Sequence, residues 1–161
     1  MSTEPSSVDD PSPQPSLPTN RSMPAAVVIP VLAYPDVAEA VAWLRRCFGF
    51  VEGLRIGNHR AQLSYGEGAV VVTEQQTGPG ESATTPSPAS RAGHSVMVRV
   101  ADVDSHYERA RKHGARIVNP PADYPYGERQ YSAEDPAGHL WTFSQTIDDV
   151  DPATWGGVLV E

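Results

Sequence analysis

"DVAEAVAWLRRCFG" (Asp36–Gly49) and "DVDSHYERARKHG" (Asp102–Gly114) open on the same dipeptide and close on a glycine, and how this pair is read decides the fold. In the first, Asp36 and Glu39 have the spacing of a helix N-cap and its reciprocal third residue. Val37, Ala40, Val41, Leu44 and Phe48 recur on one helical face, and Gly49 supplies a left-handed stop. In the second, Asp102 caps, Val103, Tyr107 and Ala110 form the apolar face, and Gly114 ends the helix. Each helix follows a strand-like run, "VVIPVLAY" (Val27–Tyr34) and "HSVMVRVAD" (His94–Asp102). Each precedes three more: Val51–Ile56, Arg60–Tyr65 and Ala69–Gln75 in the first copy, Arg116–Val118, Arg129–Ala133 and His139–Ser144 in the second. "GEG" (Gly66–Gly68) and "DPAG" (Asp135–Gly138) read as the tight turns. The repeat predicts an α+β fold of two tandem βαβββ modules.

Composition sets the boundaries. Residues 1–24 are rich in proline and serine with little to bury, which predicts a disordered tail, and "TGPGESATTPSPASRAG" (77–93) reads as a linker loop. The modules then occupy 25–76 and 94–145, and 146–161 forms a C-terminal tail. No apolar run approaches the roughly 18 residues of a membrane span. Cys47 is the only cysteine, so no internal disulfide is possible, and a cytoplasmic location is expected. Formal net charge is −8 and Lys112 is the only lysine, a balance that offers no basic stripe and argues against nucleic acid as a partner.

The duplicated order, with "VLAYPDVAEAVAWLRRCFGF" and "DYPYGERQYSAEDPAGHLWTFSQ", resembles the vicinal oxygen chelate superfamily of glyoxalase I, bleomycin-resistance proteins, fosfomycin-resistance enzymes and extradiol dioxygenases. The resemblance covers roughly Val27 to Gln145. It implies eight strands curled round a cleft, often across a homodimer, and in the enzymes a divalent metal held by His, Gln or Glu on the first and fourth strands of each module.

Those positions fall here on Ile29, Val72, Ser95 and Thr142, none of which is a competent ligand for a transition ion. Glu74 lies two residues beyond Val72 and His94 is adjacent to Ser95; a one-residue offset in a strand turns a side chain to the other face. Val96, Val98 and Val100 form a stripe suited to packing under a helix, which leaves Ser95, Met97 and Arg99 facing the cleft. The expected ligand-binding set is Val72, Glu74, Ser95, Met97, Arg99, Leu140 and Thr142, with Tyr124 and Tyr126 on a loop "DYPYGER" (Asp123–Arg129) that overhangs the ligand as in related proteins. Trp141 and Phe143 are expected in the core, as are Trp43 and Cys47 unless they form a dimer contact. His106, Glu108 and His113 read as solvent-exposed or as helix-end charge compensation.

The function this implies is binding of an organic small molecule, as in drug sequestration, by a homodimer with no cofactor and no complete metal site. The alternative is a metal-dependent lyase, isomerase or dioxygenase of the glyoxalase type using Glu74, His94 and a third group supplied by the partner chain. A further reading makes "IDDVDPATWGG", around Trp155, a docking segment for another protein.

Overall fold

The structure is a computed structural model and describes residues 17–75 and 93–160. All of the linker expected over 77–93 except Gly93, and most of the expected N-terminal tail, therefore lie outside the described residues. Within them the chain runs β1 (Val31–Tyr34), α1 (Val37–Phe48), β2 (Val51–Ile56), β3 (Arg60–Tyr65), β4 (Gly68–Glu74), β5 (Val96–Arg99), α2 (Val103–Lys112), β6 (Arg116–Tyr124), β7 (Glu128–Glu134) and β8 (Leu140–Thr146). A short 3₁₀ turn, Pro152–Trp155, follows. The strands form two four-stranded sheets of matching order, β1-β4-β3-β2 and β5-β8-β7-β6, so each module pairs its first and last strands in parallel. The sheets curl without closing into a barrel.

Local chemistry explains the helix ends. The Asp36 carboxylate accepts the Glu39 N–H at 3.1 Å and the Asp102 carboxylate accepts that of Ser105 at 3.1 Å, each satisfying a donor that the first helical turn leaves free. Gly49 sits at φ +81° and Gly114 at φ +90°, the left-handed region that favours glycine at helix exits.

Both helices pack on one side of their sheets, and there the modules share a core. Phe48 and Phe50, leaving α1, reach into the second module: the Phe48 ring lies 4.7 Å from Phe143 and the Phe50 ring 5.5 Å from Trp141, centroid to centroid. Polar ties flank this contact. The carbonyls of the last turn of α1 receive donors from α2: His106 Nε2 donates to the Phe48 oxygen at 2.9 Å, and Arg109 donates to the Arg46 oxygen and to the Arg45 oxygen, which also accepts the Gly49 N–H, at 3.0 Å each. The other ring nitrogen, Nδ1, accepts the Tyr131 hydroxyl. His106 is thus a buried hinge between modules, 8% exposed, and not the solvated helix residue that its sequence position suggested.

A second tie is made by the turn Asp135–Gly138. The buried Asp135 carboxylate accepts the Ala137 and His139 backbone N–H groups, the Trp141 indole N–H at 3.0 Å and the Tyr34 hydroxyl from β1. His139 adds a bond to the Ala33 carbonyl at 2.8 Å. Four donors on one carboxylate compensate its burial. The turn is thus a fastening between the two modules.

Two expectations follow. Asp135→Ala strands the Tyr34 hydroxyl and the Trp141 indole N–H without an acceptor and should cost about 3 kcal/mol in urea unfolding, Asp135→Asn roughly half as much because one carbonyl remains. Burial holds the His106 imidazole below its ordinary range, against the Phe48 bond that pulls it up, with the Arg109 charge adding to the depression. The unfolded chain therefore takes up a proton near pH 6.5 that the fold refuses, and stability should fall as pH drops through that value. A His106→Gln variant, weaker at neutral pH, should lose this part of the pH dependence when midpoints are measured from pH 7.5 to 5.5.

Candidate functional site

The faces away from the helices are the surfaces that a ligand could reach, and the two sheets treat them differently. In the first sheet β4 is central, and Ala69, Val70, Val71 and Val72 are all buried. Leu32, Ala61, Leu63, Val70 and Val72 face the helix core. On the opposite face the chain covers itself: Gln62 donates its amide to the Ser22 carbonyl at 2.7 Å, and Pro24, Ala25 and Ala26 lie over Gln62, Ser64 and Ala69 with a small cavity of about 220 Å³ between them. Part of the segment expected to be a disordered tail contributes to this cover. Val31, Val51 and Ile56 remain exposed on the same sheet.

The second sheet leaves its outer face open. Trp141, Phe143, Tyr131 and Ala133 point to the core, so their neighbours point away from it: Leu140, Thr142, Ser144 and Thr146 on β8, and Glu128, Gln130 and Ser132 on β7. In β5, Met97 pairs with Thr142 and Arg99 with Ser144, which puts both on this face, Met97 59% exposed. The polar groups form an ordered row. Arg99 Nη2 donates to Thr146 Oγ1 at 3.0 Å, Ser132 and Thr142 hydroxyls pair at 3.2 Å, and Glu128 Oε1 accepts both Ser144 Oγ (2.6 Å) and Gln130 Nε2 (3.1 Å). Beside β5, which has a ladder partner on one side only, a groove of about 530 Å³ runs between the modules, with Phe50, Tyr65, Val70, Val96 and Val98 as its apolar and aromatic walls and Met97 and Arg99 at its rim.

The expected site residues thus separate into groups. Met97, Arg99, Leu140 and Thr142 share the open face. Ser95 is exposed and immediately precedes β5, as does His94. Val72 does not join them: it is fully buried on the helix side, and Glu74, at the exposed end of the first sheet, pairs with His59 at 3.0 Å. The cause is a central strand covered on both faces, whose unbroken valine run carries no alternation from which to set its phase. Tyr124 and Tyr126 are not on an overhanging loop. β6 continues to Tyr124 and turns through Pro125–Gly127 directly into β7, with Gly127 N–H on the Tyr124 carbonyl at 3.1 Å. Pro120 and Pro121 made Val118 look like the strand's end, but β6 is an edge strand with irregular register there, where missing N–H groups are tolerated. The tyrosines stack at that far edge, centroids 5.4 Å apart and 18° from parallel, and Trp155 of the C-terminal segment meets Tyr126 at 5.8 Å. Gly127, at φ +84°, is what lets that segment approach: a Cβ there would lie 2.1 Å from the Asp148 oxygen.

Sequence reasoning missed Glu128, Gln130, Ser132 and Ser144. The alternation in "ERQYSAE" carries them once Tyr131 is placed in the core, but the strand was begun at Arg129 and Glu128 was left in a loop. No three His, Cys, Asp or Glu side chains among the described residues converge where they could hold a metal ion. Of the positions that the resemblance assigned to metal ligands, Val72 faces the helices and the others, Ile29, Ser95 and Thr142, supply one aliphatic side chain and two hydroxyls, a set that does not fit a divalent metal.

Similarity to known proteins agrees with this architecture. Residues 26–143 match the model of the Glyoxalase/Bleomycin resistance protein/Dioxygenase superfamily. Among solved structures, TioX from Micromonospora sp. ML1 is 38% identical, with a TM-score of 0.60 over 73% of this chain and 96% of that one. A glyoxalase/bleomycin resistance protein/dioxygenase from Nocardioides is 24% identical, with a TM-score of 0.59 over 90% of this chain and 91% of that one. An uncharacterized protein of Mycobacterium bovis is 27% identical over 128 residues, 76% of this chain and 84% of its own. With two βαβββ modules in matching order and a family model spanning both, the chain belongs to the glyoxalase/bleomycin resistance protein/dioxygenase superfamily.

Proposed function

We propose that this protein binds an organic small molecule non-covalently and without a divalent metal, on the open face of its second sheet and in the groove beside β5. The observation that carries this reading is the contrast between the two sheets. The first spends its outer face on its own N-terminal segment, whereas the second presents Met97, Arg99, Thr142 and a hydrogen-bonded polar row next to apolar and aromatic walls. Such a surface, mostly apolar with few orienting polar groups, suits a drug-sized ligand. Arg99 would donate to a carbonyl or other acceptor oxygen, Met97 would adapt to an irregular outline, and Thr142 would supply a hydroxyl.

Sequestration of a drug or natural product, as in the bleomycin-resistance branch, needs no further chemistry from the protein. Homodimerisation is part of the proposal. Val31, Val51 and Ile56, which the N-terminal segment leaves exposed on the first sheet, and Met97 on the second are apolar groups that a second copy would cover. So is a cytoplasmic site of action, supported by the single, buried Cys47. No helix among the described residues is long and apolar enough to cross a membrane.

Two measurements on protein purified without chelator test this reading. Titration with a panel of planar natural products should give saturable tryptophan quenching for at least one, weakened several-fold by Met97→Ala or Arg99→Ala. Elemental analysis should find nickel, zinc, manganese and iron all well below stoichiometry. Stoichiometric metal with no saturable quenching would favour the glyoxalase-type enzyme instead.

A further inference from the structure

We infer that the ligand taken on this open face is a planar aromatic cation, which reaches across the sheet from the β5 side to the β6–β7 edge, where Glu128 is its counter-charge; the inference rests on the small-molecule reading above. Glu128 opens β7 directly opposite Tyr124 in the hairpin and opposite Thr146 on β8, so it stands on the open face. Two neutral donors, Ser144 Oγ and Gln130 Nε2, hold the same oxygen, Oε1. They fix the direction of the carboxylate without cancelling its charge. Ser144 itself is only 3% exposed, so this support is built into the sheet and does not belong to the mobile surface.

Among the described residues no arginine, lysine or histidine pairs with Glu128. Arg99, on the same face, turns to Thr146, and Arg129, next in sequence, points to the helix side, where it bridges Asp104 and Asp123. A carboxylate that is oriented, part-buried and without a direct ion pair among the described residues is suited to receive a cation. Beside it stands the aromatic surface. Tyr124 and Tyr126 lie nearly parallel, Trp155 closes on Tyr126 at 67°, and Tyr124 and Trp155 remain 37% and 43% exposed. Ring faces attract planar π systems, and a cationic one more strongly. Asp148 and Asp149, which follow β8 as the chain folds back over Gly127, deepen the negative field at this edge. An anionic ligand would meet Glu128 as a like charge; a neutral one would leave the carboxylate unanswered.

The test uses the full-length protein and three planar probes, a protonated aminoacridine, neutral acridone and an anthracene carboxylate, titrated at pH 7 by fluorescence. The aminoacridine should bind tightest and the carboxylate weakest. Glu128→Gln should weaken the aminoacridine by about tenfold and leave acridone within about twofold, since only the charge-assisted contact is lost. Ser144→Ala, which frees Oε1 of one donor, should weaken the aminoacridine by a smaller factor, and Tyr126→Leu should weaken both probes. Equal affinity for aminoacridine and acridone, or an equal loss of both in Glu128→Gln, would overturn the inference while leaving small-molecule binding intact. Failure of every probe and of the natural-product panel would remove both.

Discussion

The last turn of α1 presents carbonyl groups that its own backbone only partly satisfies, and the fold depends on how α2 completes them. Arg109 and His106 bring donors to the Arg45, Arg46 and Phe48 oxygens from the other module. These bonds set one helix against the other at a fixed depth. At that depth Phe48 and Phe50 reach Trp141 and Phe143, and the two modules share one core instead of owning two small ones. A module of about fifty residues buries too little surface to be stable alone, so the union supplies what each half lacks. Burial favours the neutral His106 imidazole, with one nitrogen donating to Phe48 and the other accepting from Tyr131, which ties the protonation state of one side chain to the union of the halves.

Because the helix side does the joining, the opposite faces are free to diverge, and they have. The first sheet uses part of its outer face to hold Ser22–Ala26, with Gln62 donating to the Ser22 carbonyl. The second keeps serine, threonine, glutamine and glutamate side chains in register on its outer face while its inner face is aromatic. Membership of the family says how the chain is built; the side chains on each face say what it can hold.

Much of the architecture is legible in the sequence because its signals are local. Asp36 and Asp102 cap, Gly49 and Gly114 release the chain, and the valines of β5 alternate with Met97 and Arg99, so the repeat and the phase of that strand follow from short-range rules. What was not legible depends on burial from both sides or on partners distant in sequence. Val72 sits in an apolar run with no alternation, and its phase is set by β1 and β3 on either hand. His106 looks like any polar helix residue until Phe48, fifty-eight positions away, is placed against it. Tyr124 and Tyr126 surround a proline and a glycine and read as a loop; only the edge position of β6 allows a strand to pass through two prolines and reach them. Glu128 was lost by a one-residue error at a strand start, which in a sheet is the difference between a face and a loop.

The central claim is that joining the modules through their helices leaves the outer face of the second sheet as the place where a ligand binds. Backbone-amide and methyl chemical-shift mapping, with the protein held at saturating concentrations of a bound planar ligand, tests this directly. The account expects the perturbed resonances to gather on Met97, Arg99, Tyr124, Glu128, Gln130, Thr142 and Ser144, with Leu32, Val72 and Leu63 unmoved. Shifts gathered on the first sheet or along the seam between the two helices would contradict it.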